Sequence, residues 1–205
     1  MPETPSLWVK VCGIRDEYHA RVAEEAGADA IGLVLAPAPR QLTPAEAAAV
    51  AASTSLMSVA VTVDLPPEGV ADVAAIGVGM LQPHGAHAVE AAEAARGLGL
   101  DVLLPVRVDG PLRPGDHGHG YRTLLDTPAV DSSVHGGTGR TFDWSLIEAD
   151  GTDFVLAGGL GPDNVATAVA AVRPWGVDAS SGLESAPGVK DVDKIRAYIQ
   201  NARNA

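Results

Sequence analysis

Trp8-Val9-Lys10-Val11-Cys12-Gly13-Ile14 is a short apolar run in which a strand gives way to a loop. Asp16 to Ala26 follows with helical spacing and is closed by Gly27, and Ala30 to Leu35 is a second apolar run. Strand, helix and strand in that order specify a parallel βαβ unit with a right-handed crossover. The alternation continues to the C-terminus. Further strands are expected at Met57 to Val63, Gly79 to His84, Asp101 to Val108, Tyr121 to Asp126, Phe154 to Gly158 and Gly176 to Ser181. Helices are expected from Thr43, at Pro66 to Ala75, Ala86 to Arg96, Phe142 to Ala149, Pro162 to Val172 and Val192 to Ala202. Thr43-Pro44-Ala45-Glu46 has the form of a helix start, with Thr as cap, Pro at the first position and Glu at the third. Eight strands in this pattern make a single (β/α)8 barrel spanning 1–205, compact because such barrels take ~250 residues. A doubly wound open sheet is the structural alternative. One unit is irregular: Asp109 to Gly120 holds Gly110, Pro111, Pro114, Gly115 and Gly118, so the helix after strand five is expected to be reduced or missing.

The 205 residues are 46% hydrophobic and only 4% aromatic, so the core must be built from Ala, Val, Leu and Ile. A formal net charge of -12 argues against nonspecific binding to nucleic acid or an anionic membrane surface. A single cysteine cannot form an internal disulfide, which fits a reducing compartment. No signal-peptide order is present at the N-terminus, and no apolar run approaches the ~20 residues that cross a bilayer. The expectation is a cytoplasmic protein with a small-molecule partner, as monomer or homodimer.

Ligands of parallel α/β folds meet the carboxyl ends of the strands. The polar residues at those ends are Cys12, Arg40, Asp64, Gln82, His84, Arg107, Asp126, Asp178, Ser180 and Ser181. Cys12 and Asp126 each end a run that is otherwise apolar. Taken singly, a lone Cys is more often a small buried hydrophobe, and a strand-end Asp is often a cap for the next turn. Three glycine-rich segments lie late in the chain: Gly136-Gly137-Thr138-Gly139, Ala157-Gly158-Gly159-Leu160 and Ser180-Ser181-Gly182. Glycines let backbone N–H groups approach an anion, and barrel phosphate sites recur after strands seven and eight. The six His are scattered, so no metal site is favoured.

Several of these segments resemble, in order, the motifs of the phosphoribosylanthranilate isomerase family of tryptophan biosynthesis. They are Val9 to Ile14, Ala26 to Gly32, Leu124-Leu125-Asp126-Thr127, Gly136 to Trp144, Ala157 to Leu160, Gly176 to Glu184 and Pro187 to Asp191. The resemblance implies a (β/α)8 barrel without a cofactor that catalyses an Amadori rearrangement of a phosphorylated aminosugar. It implies Asp126 as general acid, Cys12 as general base and Arg40 opposite the anthranilate carboxylate. Gly158, Gly159, Ser181 and Gly182 match the phosphate cradle; Lys10, Gln82, His84, Asp178 and Ser180 are further substrate-contacting candidates. Lys10 shares a strand face with Cys12, so it is expected either to lower the thiol's pKa or to be packed in the barrel interior for another charge. One departure is Gln82-Pro83-His84-Gly85, where the family has Leu at the second position; a proline there is expected to bend the end of strand four. Two other readings stand beside the isomerase: a bifunctional aminoaldose isomerase also serving histidine biosynthesis, and a non-catalytic phosphosugar-binding barrel. Related bifunctional barrels carry an aspartate where this chain has Cys12.

Overall fold

The computed structural model describes residues 6–126, 141, 143–148 and 152–205. Eight parallel strands form a closed barrel in chain order. They are β1 (Trp8–Cys12), β2 (Ala30–Val34), β3 (Met57–Val63), β4 (Met80–His84), β5 (Asp101–Arg107), β6 (Arg122–Asp126), β7 (Phe154–Leu156) and β8 (Gly176–Ala179). Pairing of β1 with β8 closes the ring and sets Lys10 opposite Asp178. That closure excludes the open-sheet alternative.

The outer layer contains α1 (Glu17–Glu25), α2 (Pro44–Ala52), α3 (Val70–Ala74), α4 (Ala88–Gly97), α5 (Pro114–His117), α6 (Val165–Val172) and α7 (Val192–Arg203). The starts are chemically marked. Asp16 accepts from the His19 N–H ahead of α1, Thr43 and Glu46 form a reciprocal capping box at α2, and Asp191 accepts from Asp193 and Lys194 at α7. Buried faces such as Ile195, Tyr198, Ile199 and Ala202 of α7 then pack on the outward side chains of the strands, including Val9, Val11, Ile31 and Val177. The barrel interior is filled separately by Ala30, Val59, Met80, Leu103, Leu124, Val155 and Ala157. Both faces of the strands are therefore dry, which is why they read as continuous apolar runs.

Three expectations need correction. Over residues 143–148 the helix expected at Phe142 to Ala149 is not present. Trp144–Leu146 is a single 3-10 turn, and the Leu146 carbonyl and Glu148 N–H bond to the backbone of Leu112. Those groups are thus committed to the irregular 109–120 segment instead of to a helical ladder; Phe142 and Ala149 themselves lie outside the described residues, as does Gly136 to Gly139. The fourth helix does not stop at Gly97 but includes it, and the left-handed glycine beyond its end is Gly99. The strand at 176–181 ends at Ala179, and a short antiparallel ribbon unforeseen in the sequence follows, β9 (Glu184–Ala186) with β10 (Val189–Lys190). At Pro83 the end of β4 stays paired with β3, since register continues through Thr62↔Pro83 and Val63↔His84. The cost falls on the other side. The β4–β5 ladder stops at Leu81↔Val102, just before Pro83, and Pro105 on β5 also lacks a donor.

Candidate active site

Cys12, Arg40, Gln82, His84, Asp126, Gly158, Gly159, Asp178, Ser180 and Ser181 line one cleft of about 900 Å³ at the carboxyl ends of the strands. A cleft of this size suits a small-molecule ligand. Of the candidates, Lys10 and Gly182 do not reach its wall. Lys10 is wholly buried beneath it.

Cys12 ends β1 with 7% of its surface exposed. Gly32 pairs opposite it, and a Cβ there would come within 2.7 Å of Sγ, so the glycine makes room for the thiol. Burial pushes the Cys12 thiol up; Lys10 and Lys190 pull it down, Asp178 pushes it further up, and the net direction is up. Lys10 therefore acts on the thiol in the expected sense without outweighing burial. Lys10 Nζ also donates to Asp178 Oδ2 at 2.9 Å, inside the barrel. Burial disfavours the ammonium, but Asp178 and Cys12 together hold its pKa above the ordinary 10.5. Asp178 Oδ1 is buried with no hydrogen-bond partner, and so is Gln82 Oε1. Both are acceptors on the cleft wall. Gln82 Nε2 lies 2.9 Å from His84 Nε2.

Across the mouth, Asp126 ends β6, opposite Arg107 in the β5 register. The loop after β7 turns through two left-handed glycines, Gly158 (φ 84) and Gly159 (φ 65). Asn164 braces that loop: its Oδ1 accepts from the Gly161 N–H and its Nδ2 donates to the Gly159 carbonyl. Ser181–Leu183 is a 3-10 turn after β8. Gly182 abuts the β7 loop so closely that a Cβ would overlap the Leu160 carbonyl oxygen. Gly182→Ala is therefore expected to cost about 1–3 kcal/mol and lower Tm by about 2–12 °C. Thermal unfolding at wild-type Tm would remove the close approach as the reason for glycine.

Arg40 stands on the loop after β2. Its stem lies over Gly13, where a Cβ would come within 2.5 Å of Cδ. Its guanidinium is held by Glu184 of β9, Nε to Oε1 at 2.6 Å and Nη2 to Oε2 at 2.8 Å. Lys190 Nζ donates to Glu184 Oε1 at 3.0 Å and to the Ser180 carbonyl at 2.8 Å. Burial alone would raise the Glu184 carboxyl, but Arg40 and Lys190 hold it below the ordinary 4.5. Burial lowers the Lys190 ammonium against the pull of Glu184 and Cys12. Glu184 and Lys190 were absent from the sequence-derived site. A signal for the ribbon that carries them was present, because Pro187-Gly188 is a turn dipeptide and Gly188 has φ 78.

A thiol, carboxylates and glycine loops share this cleft, a set of groups that can serve proton transfers and face an anion. The comparisons point the same way. Residues 9–201 match the family model described as N-(5'phosphoribosyl)anthranilate (PRA) isomerase. The N-(5'-phosphoribosyl)anthranilate isomerase of Desulforudis audaxviator is 44% identical over 96% of this chain and 98% of its own length. The structure of phosphoribosyl anthranilate isomerase from Thermus thermophilus superposes with a TM-score of 0.83 at 32% identity, covering 95% of this chain and 98% of the other. A second isomerase structure, in complex with reduced 1-(o-carboxyphenylamino)-1-deoxyribulose 5-phosphate, gives 0.78 at 31% identity over 97% of this chain and 100% of the other. With the barrel, the cleft and the match in agreement over nearly the whole length, the chain belongs to the N-(5'-phosphoribosyl)anthranilate isomerase family of tryptophan biosynthesis.

Proposed function

We propose that the cleft converts N-(5-phosphoribosyl)anthranilate into 1-(2-carboxyphenylamino)-1-deoxyribulose 5-phosphate by an Amadori rearrangement, with Asp126 as general acid and Cys12 as general base. The observation that carries this reading is the placement of a buried thiol and a strand-end carboxyl in one cleft, with glycine loops at strands seven and eight. The reaction opens with a proton passing from Asp126 to the furanose ring oxygen. The C1–O bond breaks, and the anilino nitrogen supplies the electron pair that makes a cationic C1=N Schiff base. The cation acidifies the C2–H bond. Cys12, as thiolate, takes that proton, and the C–H electron pair forms C1=C2 while the C=N pair returns to nitrogen. Loss of the C2 hydroxyl proton and protonation at C1 give the ketone, so no atom is gained or lost.

The electrostatics suit this order. In the free enzyme burial favours the neutral thiol. A cationic intermediate adds to Lys10 and Lys190 a third positive charge, so ionisation is favoured when a base is needed. The buried, unpartnered Asp178 Oδ1 and Gln82 Oε1 are positioned to accept from sugar hydroxyls. The sugar phosphate fits the loops at Gly158, Gly159 and Ser181, where backbone N–H groups serve an anion. We place the enzyme in the cytoplasm; among the described residues no helix is long and apolar enough to cross a membrane.

The test is turnover of freshly prepared phosphoribosylanthranilate by the purified chain, following the aminoketose by chromatography. Product is expected mole for mole with substrate consumed. A rate indistinguishable from the spontaneous background overturns the proposal.

A further inference from the structure

We propose that Glu184 is a positioning residue for substrate recognition: it grips one edge of the Arg40 guanidinium so that the opposite edge meets the substrate's carboxylate squarely. The inference rests on the function proposed above and concerns how the same cleft selects an ortho-carboxylated aniline.

The geometry supplies the argument. A guanidinium has five N–H donors in a planar fork. Glu184 takes the side edge, Nε and one hydrogen of Nη2. Among the described residues Arg40 makes no hydrogen bond to any other group. The end edge, one N–H from each terminal nitrogen, therefore remains for a second carboxylate in the bidentate arrangement that Arg favours. Arg40 lines the cleft, so a ligand carboxylate bound there can approach its guanidinium.

Glu184 is itself immobilised. Its oxygens also accept from Lys190 Nζ at 3.0 Å and from the Gly188 N–H at 3.1 Å, giving the carboxylate four donors. Its side chain is 5% exposed. Lys190 in turn reaches the Ser180 carbonyl beside the β8 turn. Gly188 packs so tightly that a Cβ would sit 2.5 Å from the Pro39 carbonyl oxygen, which joins the ribbon to the loop bearing Arg40. Arg40 and Lys190 carry two positive charges against one on Glu184, leaving the cluster net positive within a chain of charge -12. An anionic ligand is thus attracted to this corner although the protein as a whole repels it.

The test is a kinetic cycle of wild type, Glu184→Gln, Arg40→Ala and the double variant on phosphoribosylanthranilate. Glu184→Gln is expected to raise KM about ten- to a hundredfold while shifting kcat by less than about threefold. Arg40→Ala should raise KM at least as far, and the double variant should be no worse than Arg40→Ala, because Glu184 acts only through Arg40. A wild-type KM in Glu184→Gln, or losses that multiply in the double variant, overturns the positioning role and leaves the isomerase reading intact. Should Glu184→Gln fold too poorly to assay, Arg40→Lys carries the same question. It keeps the charge but has no second edge, so it should behave like Arg40→Ala; a wild-type KM overturns the proposal. A wild type without turnover overturns this inference and the functional reading together.

Discussion

Asp126→Asn is expected to lower kcat on phosphoribosylanthranilate by about 10²–10⁴-fold with little change in Tm. Asn keeps the volume of Asp and cannot give up a proton, and Asp126 is a half-buried strand-end residue, not part of the packed core. The loss should be specific to ring opening. Cys12→Ser should fall by a comparable factor for a different reason, since a hydroxyl is far harder to ionise than a thiol. The two variants separate by pH. In Asp126→Asn the thiol limb of the profile remains, rising toward alkaline pH because burial holds Cys12 above its ordinary 9.0. In Cys12→Ser that limb should vanish. Combining the substitutions should cost much less than the product of the single losses, because acid and base serve successive steps of one sequence. Retention of wild-type kcat by Asp126→Asn would remove the acid assignment, and an unchanged alkaline limb in Cys12→Ser would remove the base.

The strands were legible because a closed parallel sheet is buried on both faces, so β2 reads as an uninterrupted apolar run, β1 as one broken only by Lys10, and β6 as Leu124-Leu125 ending in Asp126. The capping box at Thr43 and Glu46 was legible for a local reason: all its partners lie within four residues. The strand-end candidates Cys12, Gln82, Asp126 and Asp178 converge because the fold places every such end on one rim. What escaped is non-local. Arg40 and Glu184 are separated by 144 positions, and no spacing rule connects them. The same distance hid the fate of Phe142 to Ala149. That stretch has helical composition, but residues 146 and 148 find their partners at Leu112, on a segment whose glycines and prolines confine its own helix to the single turn α5. Lys10 is the mixed case. Its shared face with Cys12 followed from strand alternation, whereas its stronger bond to Asp178 depends on barrel closure, which only the register of β1 against β8 reveals.

Lys10→Met is expected to destabilise the protein by about 3–5 kcal/mol, the usual cost of removing one member of a buried ion pair. The side chains of Lys10 and Asp178 are 0% and 8% exposed, and Asp178 already has one oxygen without a partner. Taking away the ammonium leaves that carboxylate in the barrel interior with no compensating charge at hydrogen-bond distance. Methionine fills most of the vacated volume, so the loss measures charge more than cavity. Adding Asp178→Asn should therefore restore most of the lost stability, a strongly non-additive result in denaturant unfolding. Independent, additive losses would mean that the two groups do not act as a pair. Folded Lys10 holds its proton above the ordinary 10.5, so its stabilising contribution is complete below that pH and is lost only as pH rises through the higher folded value. The cycle should accordingly give the same coupling at pH 6 and pH 9. Activity should not follow stability. The repaired double variant lacks the cation that bonds the thiol, so the alkaline limb of its rate profile should move to higher pH than in wild type. A double variant that regained wild-type kcat at neutral pH would show that Lys10 holds the barrel together and nothing more.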